Sequence, residues 1–280
     1  MVKRAFLPVK SDVIFRLFYA DERNEEFLIG LLKSMLNLPE DDYHKIEIAD
    51  PHLLREFESD KLAIIDVKLY TKTRKVIHIE IQLKVTPGLR KRVILYDAKL
   101  IAEQVGSGDD YEAIKKVITI LITDENLIEA SRKYHHRFTL YDADAGVEFS
   151  DILEIHTLEL GKLPKNTDDT ELYDWAKFID AETEEELVVI EQRNPTIKKA
   201  IVKLRELSAD EEARSLYERR EKARRDRAME MRWARKQGVQ EGKIETARNA
   251  FQMGMSIDDI IKLTGLVREE IERIRSEKPI

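Results

Sequence analysis

Two short stretches of alternating apolar and polar residues, joined by a polar link, most constrain the fold of this chain. Residues 64–70 and 76–84 both repeat with a period of two, which is typical of half-buried strands. The link, residues 71–75, is short enough for a β-hairpin. The sequence therefore predicts an antiparallel strand pair with one apolar and one polar face.

The polar face of this hairpin carries two carboxylates. If the turn is centred on Thr73, Asp66 lies directly opposite Glu80, with Cβ atoms about 4.5–5.5 Å apart. Two like charges in that arrangement destabilise a sheet. A divalent cation between them would remove the repulsion, because Mg²⁺ is commonly bound by one or two carboxylates together with phosphate oxygens and water.

A shifted register is the alternative for this hairpin. A shift of two residues would place the acids opposite salt-bridge partners such as Lys68 or Lys84, which share the polar face. Spacing alone leaves both registers open. His78 lies on the same face, where it is either a general base or a surface histidine of the strand.

The composition excludes several classes of site. The chain of 280 residues has no cysteine, which excludes disulfides, thiolate metal sites and cysteine catalysis. Its net charge of −7 counts against a dedicated, tight nucleic-acid binder, although an acidic protein can contain a local basic groove. No apolar run approaches the roughly 18 residues of a membrane span, and the N-terminus lacks a signal-peptide pattern. We therefore expect a soluble cytoplasmic protein without a membrane partner.

The order of the predicted elements favours an α/β fold. Helices are predicted over residues 12–36 and 89–105, on either side of the hairpin. Residues 117–122 form a nearly continuous β-branched run, which indicates a strand covered on both faces. Two further strands are predicted over residues 138–141 and 152–160. This order predicts a central mixed β-sheet flanked by helices.

Beyond the sheet region the sequence predicts helices alone. We divide the chain into three parts, residues 1–163, 164–248 and 249–280. The middle part contains a long charged helix in which residues 214–236 carry ten Lys or Arg and four Asp or Glu, a local balance of +6. This segment either contacts phosphates or is a solvated helix with i,i+4 ion pairs.

The last part predicts a small helical hairpin over residues 254–274. Ser256 caps its first helix, and Gly265 ends that helix. The outline is that of a helix-turn-helix. Because the second helix carries Glu269 and Glu270, which a DNA groove would repel, packing or oligomerisation is favoured over base reading.

The acid on one strand and the Glu-x-Gln on the next resemble the core of the PD-(D/E)xK nuclease superfamily, with Gln82 in the lysine position. More closely, the chain resembles the recombination-promoting nuclease/putative transposase family of bacteria. The segments that carry this resemblance follow one another in order: residues 11–18, 65–68, 79–82, 92–96 with Tyr111 and 117–120, then Gly238, Gly242 and 254–256. The resemblance implies a restriction-endonuclease-like core followed by an all-α C-terminal region.

The resemblance also implies which residues bind metal. Asp66 and Glu80 would hold Mg²⁺, with Mn²⁺ as an alternative, and the ion would lower the pKa of a bound water. Asp12, at the start of the first helix, would be either a further acid at this site or the N-cap of the helix.

The remaining site residues would act on water and phosphate. Gln82 can orient the attacking water, but it cannot supply the positive charge that the transition state needs. Lys84, or Lys68 on the same face, would replace the missing cation, and Lys84 is the better candidate. Arg92 and Tyr96 lie one helical turn apart, where they either contact DNA phosphates or pack on the sheet.

The resulting functional prediction is a Mg²⁺-dependent DNA endonuclease linked to recombination or mobile elements. We expect it to bind DNA and to self-associate through its C-terminal helices, because long charged helices are poorly stable alone. One alternative is a catalytically weak or inactive nuclease-fold protein that binds DNA or another protein. The other is an interaction or regulatory protein whose function lies in residues 196–280.

Overall fold

The computed structural model describes residues 6–49, 66–106 and 108–276. Its strands form one mixed sheet in the spatial order β1-β2-β3-β4-β6-β5. The strands are β1 (Glu47–Ala49), β2 (Val67–Tyr70), β3 (Val76–Gln82), β4 (Val117–Thr123), β5 (His135–Asp142) and β6 (Val147–Glu159). Helices flank this sheet, and the mixed α/β architecture predicted from the sequence is confirmed.

The helices fall before, within and after the sheet sequence. They are α1 (Asp12–Tyr19), α2 (Glu25–Met35), α3 (Leu89–Ala102), α4 (Glu171–Asp180), α5 (Glu184–Glu191), α6 (Pro195–Ala209), α7 (Glu211–Gln252), α8 (Ile257–Thr264) and α9 (Arg268–Ser276). The single helix predicted over residues 12–36 is wrong. The side chain of Asp21 accepts a hydrogen bond from the backbone N–H of Arg23 and caps a short 3₁₀ turn that separates α1 from α2.

The hairpin of β2 and β3 has the register that centres its turn on Thr73. Val67 pairs with Ile79 and Tyr70 pairs with Val76 in antiparallel fashion. The shifted register left open by the sequence is thereby excluded. Asp66 directly precedes the first of these pairs and so lies at the position opposite Glu80.

Both faces of the central strands are covered. On one face α1 and α2 pack against the apolar side chains of β3, among them Ile77 and Ile79. On the other face α3, which connects β3 to the parallel strand β4, packs against Val76 and Leu121. The half-buried strands predicted for the hairpin are therefore wrong, because β3 is buried from Val76 to Ile81 and β2 from Val67 to Leu69.

The helices that follow the sheet belong to the same core. Trp175 of α4 is 1% exposed and lies so close to α2 that a Cβ on Gly30 would be 2.5 Å from its ring. Ile197 and Leu204 of α6 are also buried in this cluster. Helices α4 and α6 therefore share one apolar core with α1 and α2.

The chain divides into two compact units, Met1–Tyr217 and Glu218–Ile280. In the second unit, α8 and α9 pack on the end of α7 around Ala247, Ile260 and Ile271. Ser256 caps α8, and Gly265 ends it with a positive φ of 68°. The two short helices predicted from the sequence are confirmed, while the three-part division of the chain stays a prediction. Among the described helices, each is too short or too polar to cross a membrane.

Candidate active site

Asp66 directly precedes β2, and its carboxylate contacts the backbone of the neighbouring strand β3. Its Oδ2 accepts a hydrogen bond of 2.7 Å from the backbone N–H of Ile81. Burial, followed by repulsion from Glu80 and from Asp12, raises the pKa of Asp66 to about 7, although the Ile81 N–H and Arg16 act in the opposite direction. The site thus concentrates negative charge around Asp66.

Glu80 lies in the middle of β3 and is 4% exposed. Its Oε1 accepts hydrogen bonds from Gln82 Nε2 at 2.9 Å and from Arg92 Nη2 at 3.3 Å. Its Oε2 is buried and has no hydrogen-bond partner within the described parts of the chain. A buried carboxylate oxygen without a partner is costly, so this atom points to a ligand that would satisfy it.

Asp12 is the first residue of α1. The N-cap position itself is Ser11, and Asp12 Oδ1 accepts a hydrogen bond of 3.0 Å from the N–H of Val13. The charge of Asp12 also raises the pKa of Asp66, which places a third carboxylate near the pair. The interpretation of Asp12 as the N-cap is therefore wrong, because Ser11 occupies that position. Its role as a metal ligand stays a prediction.

The two lysines considered as replacements for the missing cation have different surroundings. Lys68 is buried, and its Nζ lies 3.1 Å from Oε2 of Glu103, which neutralises its charge. Lys84 lies in a bend after the end of β3, so the alternation of the strand does not fix its side-chain direction. The catalytic role predicted for Lys84 stays a prediction.

Arg92 brings a cation into contact with the site from α3. Its Nη2 contacts Glu80, and its guanidinium lies 5.9 Å from the ring centre of Tyr96 one turn later. From the sequence we expected these two residues either to contact DNA phosphates or to pack on the sheet. The structure shows packing beside Glu80, and contact with DNA stays a prediction.

His78 is fully buried, so the sequence interpretation as a surface histidine is wrong. Helix α3 covers the polar face of β3 and excludes water from it. Burial alone would lower the pKa of His78, but its contacts with Asp97 and Glu80 raise that pKa overall.

The sequence did not predict two further residues that face this site, Asp97 and Thr119. The only sequence signals for them are a polar residue after Tyr96 and a polar interruption of the apolar run in β4.

The donor set suits a hard cation. Mg²⁺ keeps several water ligands and needs only one or two carboxylates from the protein, which Asp66 and Glu80 can provide. A preformed cluster of three or more His, Asp or Glu with metal-binding geometry is absent from residues 6–49, 66–106 and 108–276. The residues present therefore fit a metal held largely by water and phosphate rather than by a closed protein cage.

Comparison with known proteins agrees with the geometry of this site. A family model described as PD-(D/E)XK nuclease family transposase matches residues 9–234, which is more than half of the chain. No curated protein and no solved structure matches the chain. The match spans the hairpin with Asp66 and Glu80, the covering helix α3 and the first part of the charged helix α7. The chain belongs to the PD-(D/E)XK nuclease family transposases, whose function is nuclease-like.

Proposed function

We propose that the protein is a metal-dependent DNA endonuclease that hydrolyses phosphodiester bonds and serves recombination or mobile elements. The observation that carries this proposal is the placement of Asp66 opposite Glu80 on the paired strands β2 and β3, with Glu80 Oε2 buried and without a hydrogen bond in the described chain. Family membership supports the nuclease chemistry. Its location would be the cytoplasm.

The side chains of the site divide the work of such a reaction. Asp66 and Glu80 would hold Mg²⁺ or Mn²⁺, with Asp12 as a further acid. A bound divalent cation supplies Lewis acidity toward the scissile phosphate and lowers the pKa of water. Gln82, fixed by its hydrogen bond to Glu80, can orient the attacking water. Arg92 can pair with a phosphate through its planar guanidinium.

The C-terminal helices supply a second contact surface in this proposal. Every residue from 222 to 239 of α7 is exposed, and this stretch contains most of the basic excess counted in the sequence. Such a helix can bind DNA phosphates through charge alone. A fully exposed helix of this length also gains stability from a partner, which supports self-association through the same region.

Cleavage of supercoiled plasmid DNA by the full chain with Mg²⁺ or Mn²⁺ tests the endonuclease. Asp66→Ala and Glu80→Ala should each lower the cleavage rate by more than about 100-fold, because ligand loss should exceed the 10–100-fold effect of supporting residues. Glu47→Gln on the neighbouring strand β1 is the matched control and should retain activity. Cleavage that persists in both alanine variants would refute the proposed site.

A nuclease-fold protein that binds DNA without cutting it is the second candidate. It is favoured by Gln82 in place of a lysine and by the pairing of Lys68 with Glu103, since both leave the site short of a free cation. This candidate predicts that the wild-type protein binds DNA, cuts nothing with either metal, and keeps its affinity in Asp66→Ala and Glu80→Ala.

A further inference from the structure

A line of four buried polar side chains runs beneath α3 on the face of the sheet that carries Glu80. Asp97 comes from α3, Thr119 from β4, and His78 and Glu80 from β3. Asp97, Thr119 and His78 are each 0% exposed, so these contacts are made away from solvent.

The imidazole of His78 lies between two carboxylates. Its Nδ1 is 3.3 Å from Thr119 Oγ1 and 3.7 Å from Asp97 Oδ1. Thr119 in turn donates a hydrogen bond to the same Asp97 oxygen. On the opposite side of the ring, Nε2 lies 3.8 Å from Glu80 Oε2. The ring is thus held from behind and faces the carboxylate of the candidate site.

The backbone fixes this arrangement. His78 and Thr119 are register partners in the parallel pair β3–β4, so their side chains stand side by side on one face. Asp97 reaches them from above because it lies on the buried stripe of α3. The position of the ring therefore depends on the sheet and the covering helix rather than on a loop.

A purely structural role explains this line poorly. Three of its atoms, Asp97 Oδ2, His78 Nε2 and Glu80 Oε2, are buried and lack hydrogen-bond partners in the described residues. Each such atom costs stability. On the same face Val76 and Leu121 pack against α3 without that cost, and apolar side chains of similar volume could replace buried polar groups.

We propose that His78, held by Asp97 and Thr119, is a positioning residue that fixes the carboxylate of Glu80 for metal binding. Gln82 and Arg92 donate hydrogen bonds to the Oε1 atom of Glu80, and the Nε2 atom of His78 lies 3.8 Å from its Oε2 atom, so each carboxylate oxygen has a neighbouring side chain of its own. Partners of metal ligands commonly set ligand orientation in this way. This inference rests on the proposed metal-dependent nuclease.

Mn²⁺ binding to the full chain, followed by electron paramagnetic resonance, tests the inference without relying on cleavage. His78→Gln and Thr119→Val should each weaken Mn²⁺ binding by about 10–100-fold. In plasmid cleavage they should lower kcat and leave KM for DNA unchanged, because neither residue contacts DNA in this proposal. Thr119→Ser restores the hydroxyl and should recover most of the affinity.

His156→Gln is the matched control. His156 is a buried histidine of the same sheet, but it pairs with Ile120 and therefore faces the opposite side from Thr119. The His156→Gln substitution should leave the Mn²⁺ affinity unchanged, even if it lowers the melting temperature of the protein. If His78→Gln does not fold, Asp97→Asn, which changes little volume, replaces it in the comparison.

The outcomes separate this inference from the proposed function. If wild type binds Mn²⁺ and Glu80→Gln does not, but the variants of His78, Thr119 and Asp97 bind as wild type does, the positioning role is overturned. It is also overturned if His156→Gln weakens binding equally. If wild type binds no more Mn²⁺ than Glu80→Gln, the proposed function fails, and the positioning role fails with it.

Discussion

The pKa of Asp66, raised to about 7, gives the site a pH dependence that can be measured without DNA or metal. Between about pH 4 and pH 7 the folded state holds a proton that the unfolded state has released. Stability should therefore fall as pH rises through this window, by up to about 4 kcal/mol from this group. Asp66→Asn should remove this dependence.

Urea unfolding at about pH 5 and pH 8 in the presence of a chelator measures that difference. Wild type should lose more stability than Asp66→Asn between the two pH values, and added Mn²⁺ should restore part of it at the higher pH. Equal pH dependence of the two proteins would show that Asp66 titrates near the ordinary value of an aspartate.

Single substitutions can identify which residue supplies positive charge at the site. Because Arg92 contacts Glu80 and Lys84 lies beyond the end of β3, Arg92→Gln should lower cleavage by more than about 10-fold. Lys84→Gln should lower it by less than about 3-fold by the same argument. Initial rates of plasmid nicking compare the two, and a larger decrease in Lys84→Gln would support the catalytic role predicted for that lysine.

The sequence could predict the acidic pair but not the residues around it. The alternation of the strands and the length of the turn, which are local properties, left two registers open, and the structure has the one in which Asp66 opposes Glu80. Asp97 and Thr119 reach the site through the crossover helix and the parallel strand β4. Their positions depend on packing between distant segments, which a single sequence does not specify.

Among the secondary-structure elements, α2 and α4 approach each other closely enough for a single substitution to probe the distance. Gly30→Ala would place a Cβ 2.5 Å from the buried ring of Trp175. The ring cannot move freely in a packed core, so the variant should be destabilised by about 1–3 kcal/mol. Thermal unfolding followed by circular dichroism should show a lower melting temperature.

Gly238→Ala in α7 is the matched control, because its Cβ would meet no described atom within 4 Å. Replacing a glycine in a helix interior by alanine should stabilise that helix by about 0.5–1 kcal/mol. If Gly30→Ala behaved like Gly238→Ala, the approach of α2 to α4 would be looser than the structure shows.

Elements with strong local signals were predicted well. The β-branched run of β4 and the helix after Gly88 are clear examples. The predicted helix over residues 12–36 failed because its apolar periodicity continues through the turn at Asp21, where a side-chain cap overrides it.

The whole molecule combines an acidic chain with a basic exposed helix. Replacing Arg227, Arg235 and Lys236 of α7 by Gln should weaken binding to duplex DNA at low salt. The slope of log K against log salt should fall by about 0.9 for each phosphate that these side chains no longer neutralise. The control replaces Lys45, Lys115 and Lys165 by Gln. These lysines are exposed residues of the first unit, so the control removes the same charge elsewhere.

Fluorescence anisotropy with a labelled duplex at several salt concentrations measures both triple variants. Equal slopes for the two would show that α7 binds DNA no more than the rest of the surface does.

At the scale of the whole molecule, the family and the mixed sheet were predictable from the order of the motifs. The inclusion of α4 to α6 in the main core was not, because α4 and α6 pack against α2, which is distant in the sequence.

The hairpin that carries the site also has a consequence for the order of folding. Its two strands are neighbours in sequence, whereas the parallel pairs β3–β4 and β4–β6 form only across long connections. Local pairings form first, so the repulsion between Asp66 and Glu80 should already act at the folding barrier. Asp66→Asn should therefore speed refolding in stopped-flow experiments at about pH 8 more than it slows unfolding. The charges that would hold the metal would then also limit how fast the metal-free chain folds.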